Sequence, residues 1–246
     1  MNVILLTGRG GSKSVPGKNV YPVLGRPLAF YPMTAAKRAR KVDRICVSTD
    51  SPEIKRVARE LGIEVIDRPP ELARDDSELV DALTHAMAVI GGDIRYLITM
   101  HCNCVVHRDG LVDACITMMD AHPEADSCVT GFIDQSVHPY RTKRIDDNGY
   151  LHPWLEIPEG TSTNRQALAP CFVLDGAARV LRVDRCFPPR GQRPFTYLGR
   201  RISHVLNDSG GDVHSLDDIA AAERLLRRAG VADAPSGGAA PSGTTG

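Results

Sequence analysis

The apolar residues of this chain fall into short continuous runs that alternate with amphipathic stretches. Runs such as residues 3–6 and 96–100 are bounded by polar or glycine-containing segments, which is typical of parallel strands buried on both faces. Between the runs, apolar residues recur at helical spacing, as in residues 77–90 and 215–228. The alternation predicts an α/β fold of Rossmann-like type, in which one sheet lies between two layers of helices.

The same patterns predict the order of the elements. Strands are predicted at residues 3–6, 44–50, 64–69, 96–100, 127–132, 171–174 and 202–206. Helices are predicted at residues 24–40, with Pro27 in the first turn, and at 52–61, 77–90, 109–121 and 215–228. Residues 133–170 break the pattern as a polar excursion, within which Asn148-Gly149 predicts a hairpin turn. We expect one domain over residues 1–229 and a disordered tail over residues 230–246, which is mostly Ala, Pro, Ser, Gly and Thr.

Composition narrows the classes of partner. The 246 residues carry 30 Lys and Arg against 30 Asp and Glu, which argues against a general nucleic-acid or membrane surface. No apolar segment is long enough to span a bilayer, and no signal peptide precedes the first strand. Seven cysteines, an odd number at irregular spacing, argue against a secreted disulfide framework, so a cytoplasmic protein is expected.

The first predicted strand leads directly into a loop rich in glycine and cations, with the sequence TGRGGSKSVPGKN over residues 7–19. Glycines let backbone N–H groups close around phosphate oxygens, while Arg9, Lys13 and Lys18 supply positive charge. The segment is neither a P-loop nor a dinucleotide fingerprint, because Ser12 and Lys13 stand where those motifs require glycine. It predicts a polyphosphate site at the carboxyl edge of the sheet.

Further motifs follow in a fixed order up to about residue 90. They are RGGSK at 9–13, KN at 18–19, LGRPL at 24–28, VSTD at 47–50 and RPPELA at 68–73, followed by Asp76-Ser77. As a set they resemble the cytidylyltransferases that make CMP-activated sugar acids, such as CMP-sialic acid and CMP-Kdo synthetases. A weaker match recurs at residues 164–166 and at Asp212.

The resemblance implies roles for individual residues. It implies catalytic roles for the cations Arg9, Lys13 and Lys18. It implies nucleotide binding by Gly10, Gly11, Ser12, Asn19, Arg68 and Ser77. Two of these have simpler interpretations, because Lys18 could be a solvated loop lysine and Ser77 a helix N-cap. The resemblance also implies Mg²⁺ as cofactor, with Mn²⁺ as an alternative, and a homodimer formed through the arm of residues 133–170.

The predicted metal site departs from the resembled pattern. An Asp-x-Asp pair is usual there, whereas this chain has Asp212-Val213-His214. Because Mg²⁺ prefers oxygen ligands, Asp212 is the better candidate, and His214 could act through water, as a base, or on a softer ion. Residues 215–218 also fit a capping box at the start of the last helix.

The segments expected to contact the acceptor depart further from the sequence of the resembled enzymes. Residues 99–107 read TMHCNCVVH where the resembled enzymes usually have a QPTSPLR type of sequence, and Asp175-Gly176-Ala177 replaces Asn-Gly-Ala. A zinc site could be drawn from His101, Cys102, Cys104 and His107, but Cys-x-Cys is tighter than the usual spacing. We expect instead that His101 and Asn103 face the acceptor and that the cysteines pack beneath them. Arg165 and Gln166 are further candidates for acceptor binding.

These observations lead to one functional hypothesis and two alternatives. The hypothesis is a cytidylyltransferase that transfers CMP from CTP to a small acidic acceptor and releases pyrophosphate. The acceptor would be a sialic-type or Kdo-type sugar acid, or a small phosphonate. The alternatives are a nucleotidyltransferase acting on a sugar 1-phosphate and a nucleotide-binding protein without catalytic activity.

Overall fold

The computed structural model describes residues 1–12, 14–105, 108–207 and 211–234. The strands are β1 (Asn2–Thr7), β2 (Pro22–Val23), β3 (Arg26–Pro27), β4 (Arg44–Thr49), β5 (Glu64–Asp67), β6 (Tyr96–His101), β7 (Ser127–Ile133), β8 (Lys143–Ile145), β9 (Leu151–Pro153), β10 (Phe172–Arg182) and β11 (Ile202–Leu206). The α-helices are α1 (Phe30–Arg38), α2 (Pro52–Glu60), α3 (Leu79–Ile90), α4 (Leu111–Ala121), α5 (Val183–Cys186) and α6 (Leu216–Arg228).

The central sheet has seven strands in the order β11-β7-β10-β6-β1-β4-β5. All neighbours are parallel except β10, which runs antiparallel to both β6 and β7. Strand β1 lies between β6 and β4, and the side chains of Val3, Ile4, Leu5 and Leu6 are fully buried. A continuous apolar run in the sequence therefore corresponds to a strand covered on both faces.

Helices cover both faces of the sheet and form its two hydrophobic cores. Ile4 and Leu6 pack with α1, α2 and α4 on one face, whereas Val3 and Leu5 pack with α3 on the other. The three-layer α/β fold predicted from the sequence is confirmed. None of the helices in the described part of the chain is both long and apolar enough to cross a membrane.

The topology brings several loops to one edge of the sheet. Thr7 at the end of β1 is in register with Ser48 of β4 and with His101 at the end of β6. Because these strands are parallel, the segments that follow β1, β4 and β6 all leave from the same edge, where ligands bind in open α/β sheets.

Residues 24–28 do not begin a helix. They belong to a tight hairpin in which Leu24 and Gly25 have φ values of 44° and 75° and Pro22 pairs with Pro27. The two left-handed residues between β2 and β3 are typical of a two-residue hairpin turn. The prediction that Pro27 occupies the first turn of a helix is therefore wrong, and α1 begins at Phe30.

Strand β10 is longer than the predicted strand at residues 171–174. It continues through Gly176 to Arg182, with a register shift against β7 between Leu174 and Arg179. Glycine in a strand interior commonly marks a bulge or a close approach, and the sequence pattern alone did not reveal the continuation. This extension places Arg179 beside β6, opposite Thr99.

The excursion forms a small arm on the surface. Strands β8 and β9 pair as an antiparallel hairpin, and Gly149 has a φ of 85°, which confirms the turn predicted at Asn148-Gly149. The Asp146 carboxylate accepts hydrogen bonds from the backbone N–H groups of Asn148 and Tyr150. At the chain end, the backbone N–H of Ala234 donates to Leu24 O, and the rest of the predicted tail, residues 235–246, lies outside the described residues.

Candidate active site

A cavity of about 330 Å³ lies at the sheet edge where β1 and β6 end. Its walls come from the loop after β1, from residues 68–82, and from the tip of β6. The predicted site residues that line it are Arg9, Gly11, Ser12, Lys18, Asn19, Arg68, Ser77, His101 and Asn103. Residues from three separate segments of the chain are thus brought together, while Lys13 lies outside the described residues.

The loop after β1 is held by its neighbours in the sheet. The backbone N–H of Gly8 donates to Ser48 O at 3.3 Å, and that of Gly10 donates to Asp50 Oδ1 at 2.9 Å. A Cβ on Gly8 would lie 2.7 Å from the Cβ of Cys102, so this position requires glycine for close packing. Gly10 itself is not among the residues that line the cavity, and in this structure its N–H is bound to Asp50.

Asn19 presents an unpaired acceptor inside the cavity. Its side chain is 9% exposed, and its Nδ2 donates to Arg9 O at 2.9 Å. Its Oδ1 is buried and accepts no hydrogen bond from any described residue. Because a buried carbonyl oxygen without a donor is unfavourable, this atom suits a ligand N–H, such as the exocyclic amino group of a pyrimidine.

Two arginines lie on the same side of the cavity. The Arg68 side chain is 8% exposed and donates from Nε to Ser48 Oγ at 3.1 Å and from Nη2 to Ser48 O at 2.8 Å, while burial lowers its pKa. Arg9 pairs through Nη2 with Asp75 Oδ1 at 2.6 Å. Arg68 is therefore fixed on the sheet, and Arg9 is tied to the segment that covers the cavity.

Ser77 does not cap helix α3. Its hydroxyl donates to Glu71 O at 2.7 Å, and Glu78 occupies the N-cap position. The simpler interpretation of Ser77 as an N-cap is therefore wrong. Its position in the cavity wall remains compatible with the predicted contact to a nucleotide.

Lys18 and Asp212 are close enough to influence each other electrostatically. Burial is the main cause that lowers the pKa of the Lys18 ammonium, and the charge of Arg9 adds to it, while Asp212 opposes both. Burial raises the pKa of Asp212, with nearby Asp175 adding to the effect. Lys18 lines the cavity, whereas Asp212 is near Lys18 without being among the lining residues.

Asp212 is held by the residues around it. It forms an isolated β-bridge with Cys104, and a Cβ on Gly176 would collide with its carboxylate. The next residue, Val213, donates from its N–H to Asn103 O at 2.9 Å and accepts from Asn103 Nδ2 at 3.1 Å. Asn103 thus lines the cavity and also secures the segment that carries Asp212.

The donor chemistry at Asp212 fits a hard divalent cation. Mg²⁺ commonly uses one or two carboxylates together with substrate phosphates and water, so a single aspartate is sufficient for that arrangement. His214 is exposed, and its backbone N–H donates to Asp218 Oδ2, the acceptor of the capping box that Ser215 and Asp218 form at α6. Among the described residues, no three His, Cys, Asp or Glu side chains are grouped to hold a metal.

The cysteines predicted to pack beneath the site do so. Cys102 and Cys104 are fully buried, and burial raises the pKa of the Cys102 thiol to about 12. Both side chains pack in the core as small hydrophobic groups, and the alternative zinc site would further require His107. His107, the remaining member of that alternative, lies outside the described residues.

His101 has a partner at each ring nitrogen. Nδ1 lies 3.1 Å from Thr7 Oγ1, and Nε2 lies 3.2 Å from Arg179 Nη1. Because a guanidinium can only donate, Nε2 carries the lone pair and Nδ1 carries the proton, which it donates to Thr7. Burial, followed by the charge of Arg179, lowers the pKa of His101 to about 3, so the ring is neutral at physiological pH.

Arg165 and Gln166 lie in the arm. They belong to a short 3₁₀ helix (Arg165–Ala167), where Asn164 Oδ1 accepts from the Gln166 N–H and Arg165 O accepts from Gln135 Nε2. Neither residue is among those lining the cavity. Their role in acceptor binding stays a prediction.

Comparison with known proteins supports the resemblance seen in the motifs. Residues 3–103 match the family model described as cytidylyltransferase. N-acylneuraminate cytidylyltransferase of Streptococcus agalactiae serotype III is 27% identical over 177 residues, covering 71% of this chain and 42% of the relative. The Oncorhynchus mykiss protein of the same name is 38% identical over 79 residues, covering 32% of this chain and 18% of the relative. The chain thus spans less than half the length of these relatives.

Solved structures confirm the fold. CMP:2-keto-3-deoxy-manno-octonic acid synthetase complexed with CTP superposes with a TM-score of 0.67 at 16% identity, covering 93% of this chain and 99% of that one. The 4-diphosphocytidyl-2C-methyl-D-erythritol synthase of Anaerococcus prevotii has a TM-score of 0.60 at 13% identity, covering 92% and 99%. The predicted resemblance to cytidylyltransferases and the nucleotidyltransferase type of fold are therefore confirmed.

Proposed function

We propose that this protein is a CTP-dependent cytidylyltransferase. In the proposed reaction, an oxygen of a small acidic acceptor attacks the α-phosphorus of CTP, and pyrophosphate leaves. The observation that carries the proposal is the cavity itself, which combines Arg9, Lys18, Arg68 and the unpaired Oδ1 of Asn19 within the region that matches the cytidylyltransferase model.

The donor residues divide into two groups by their chemistry. Arg9 and Lys18, together with Lys13 by resemblance, supply positive charge for the triphosphate and for the leaving pyrophosphate. Concentrated, preorganised charge is the main catalytic resource in such transfers. Asn19, Arg68 and Ser77 would contact the cytidine. Asp212 would share a divalent cation with the phosphates, and that cation would neutralise further charge when bound.

The acceptor is proposed to be acidic. Whether His101 can act as a base matters for the choice between a sugar acid and a phosphonate. A sugar hydroxyl must lose a proton in order to attack, whereas a phosphonate oxygen is already anionic. The lone pair of His101 is engaged by Arg179, so this histidine does not supply a base. A sugar hydroxyl would therefore need a base other than His101, whereas a small phosphonate would need none, and the names of the relatives keep sialic-type and Kdo-type acids as candidates.

The arm supports a proposed homodimer. Ile145, Tyr150, Leu151 and Trp154 are between 63% and 72% exposed, which is a large apolar surface for one small hairpin and the segment after it. We expect Trp154→Glu to shift the protein from dimer to monomer in sedimentation equilibrium, and Val89→Glu, at an exposed apolar residue of α3, to leave the mass unchanged. A wild-type protein that is monomeric at micromolar concentration would contradict this.

Pyrophosphate release tests the proposed activity. The purified protein is given CTP with Mg²⁺ or Mn²⁺ and, in turn, sialic-type acids, Kdo and small phosphonates. We expect release with an acidic acceptor and much slower release in the Lys18→Met variant. A preference for another NTP with a sugar 1-phosphate would support the first alternative. CTP binding without release at any metal concentration would support the catalytically inactive alternative.

A further inference from the structure

Arg179 is a cation near the cavity that the motifs do not account for. It lies on β10, opposite Thr99 of β6, and is partly exposed to solvent. Its Nη1 donates to both His101 Nε2 at 3.2 Å and Tyr197 OH at 2.9 Å, and both of these partners are uncharged acceptors. Within the described residues, Arg179 forms no ion pair with a carboxylate.

The two remaining nitrogens of this guanidinium lie along one edge. Nε is buried and has no partner among the described residues, and no hydrogen bond from Nη2 is found in that part of the chain. The Nε–Nη2 edge is the planar fork with which arginine binds two oxygens of one carboxylate or phosphorus oxyanion. A partly buried guanidinium whose fork lacks an acceptor is an unusual arrangement, and it fits an anionic ligand.

The sheet order separates Arg179 from the cations assigned to CTP. Arg9 follows β1 and Arg68 follows β5, and both strands lie on one side of β6. Arg179 comes from β10, on the other side of β6. His101, at the tip of β6, contacts both sides, since Nδ1 meets Thr7 of β1 and Nε2 meets Arg179.

Aromatic residues surround the guanidinium. The ring of Phe195 lies 5.9 Å from Arg179 Cζ and packs edge-on against Tyr197. Phe195 is 40% exposed. A charge-assisted hydrogen bond formed next to these rings would be strengthened by the lower local dielectric.

We infer that the Nε–Nη2 edge of Arg179 binds the oxyanion of the acceptor, holding it beside His101 on the opposite side of β6 from the triphosphate. The bound group is a carboxylate or a phosphonate. This inference rests on the proposed function for the identity of the ligand as acceptor, whereas the binding of the anion does not depend on turnover.

Binding measurements on the full chain separate this role from a structural one. Methylphosphonate and acetate are each titrated into protein that is saturated with CTP in the absence of divalent cation, and calorimetry gives their affinities. A separate titration of CTP into the free protein gives the CTP affinity. For Arg179→Met we expect the affinity for the preferred anion to fall by roughly 10- to 100-fold while the CTP affinity changes less than about twofold. Arg179→Lys, which keeps the charge without the fork, should show an intermediate loss.

Tyr197→Phe is the matched control, because it removes one partner of Nη1 and leaves the fork intact. It should retain the anion affinity of the wild type. Equal losses of CTP and anion affinity in Arg179→Lys, an unchanged anion affinity in Arg179→Met, or no saturable binding of either anion to the wild type would overturn the inference. Which anion binds more tightly distinguishes the carboxylate from the phosphonate.

The two proposals fail in distinguishable ways. Arg179-dependent anion binding without pyrophosphate release from any acceptor would contradict the proposed activity and support the anion site. Release with an acceptor whose KM is the same in Arg179→Lys and in the wild type would support the activity and contradict the anion site.

Discussion

The two sides of strand β6 are built in different ways. On the β1 side, the cavity wall comes from residues within the segments 7–19 and 68–82, which carry recognisable motifs, and its polar groups are fixed to the sheet, as in the paired contacts of Arg68 with Ser48. On the β10 side, His101 and Arg179 are 78 residues apart and meet only through strand pairing. The match to the cytidylyltransferase model includes β1 and β6 but not β10, and the sequence departures lie at the tip of β6, within β10 and at residues 212–214. Under the proposed function, the residues that contact the nucleotide would be kept while those that contact the acceptor differ.

The largest expected effect tests the β1 side. Lys18→Met removes a partly buried ammonium and should lower kcat for pyrophosphate release by roughly 10²–10³, the range found when one preorganised donor to a transition-state charge is lost. Because negative charge develops on the leaving pyrophosphate during the reaction, the fold-decrease in kcat should exceed the fold-decrease in CTP affinity. Single-turnover kinetics at saturating CTP measure it.

Lys37→Met is the matched control for that change. Lys37 lies on α1 and donates to Leu61 O, and it does not line the cavity. Its variant should retain the kcat of the wild type. If Lys18→Met and Lys37→Met had the same kcat, Lys18 would be the solvated lysine of the simpler interpretation.

The difference between the two sides also explains what the sequence could predict. Strand β1 was predicted because burial on both faces requires a continuous apolar run, and its loop was assigned because three cations and several glycines follow within a short segment. Arg179 was missed because its contact with His101 depends on the register of β10 against β6. That register is set by long-range packing, and Gly176 in the interior of β10 interrupts the sequence pattern that is typical of a strand. The hairpin at Gly25 was missed because Pro27 also suits a helix start.

A second prediction addresses the residue that supports Asp212 from the β10 side. Gly176→Ala should lower the free energy of unfolding by about 1–3 kcal/mol, because its Cβ would collide with the Asp212 carboxylate and force a local shift. Urea denaturation measures this loss. The displaced carboxylate should also weaken binding of Mn²⁺ to the protein with CTP, which paramagnetic relaxation detects.

A double-mutant cycle provides the control. In an Asp212→Ala background the collision is absent, so Gly176→Ala should cost clearly less than in the wild type. Equal costs in both backgrounds would show that Gly176 matters for the backbone of β10 and not for the position of Asp212.

A third prediction concerns His101, which contacts both sides. Its pKa of about 3 in the folded protein lies below the ordinary value of about 6.5, so on acidification the unfolded chain takes up the proton first. The free energy of unfolding therefore decreases as the pH falls below about 6.5, and it continues to decrease until the pH reaches about 3. Between pH 7 and pH 5, His101→Gln should lose less stability than the wild type, by on the order of 1 kcal/mol after allowing for partial exposure.

Urea denaturation at several pH values measures that difference. His122→Gln, the same substitution at an exposed histidine outside the cavity, is the matched control. If kcat decreases at low pH, the same decrease should be seen in His101→Gln, because the lone pair of His101 is engaged by Arg179. If His101→Gln kept the full pH dependence of stability, folding would not lower the pKa of His101, and its assigned hydrogen bonds would be wrong.

The smallest effect is expected just beyond Asp212, at the start of α6. Ser215 Oγ accepts from the Asp218 N–H at 3.3 Å, and Asp218 Oδ2 accepts from the Ser215 N–H at 2.8 Å. Ser215→Ala should lower the free energy of unfolding by about 0.5–1 kcal/mol, the lower part of the range for N-caps, because this helix end is exposed. CTP affinity and metal dependence should not change, since Asp212 is secured by Cys104 and by the Asn103–Val213 hydrogen bonds instead of the cap. A shift in metal dependence in this variant would mean that the cap of α6 positions Asp212. The candidate metal ligand would then depend on α6 and not on the segments on either side of β6.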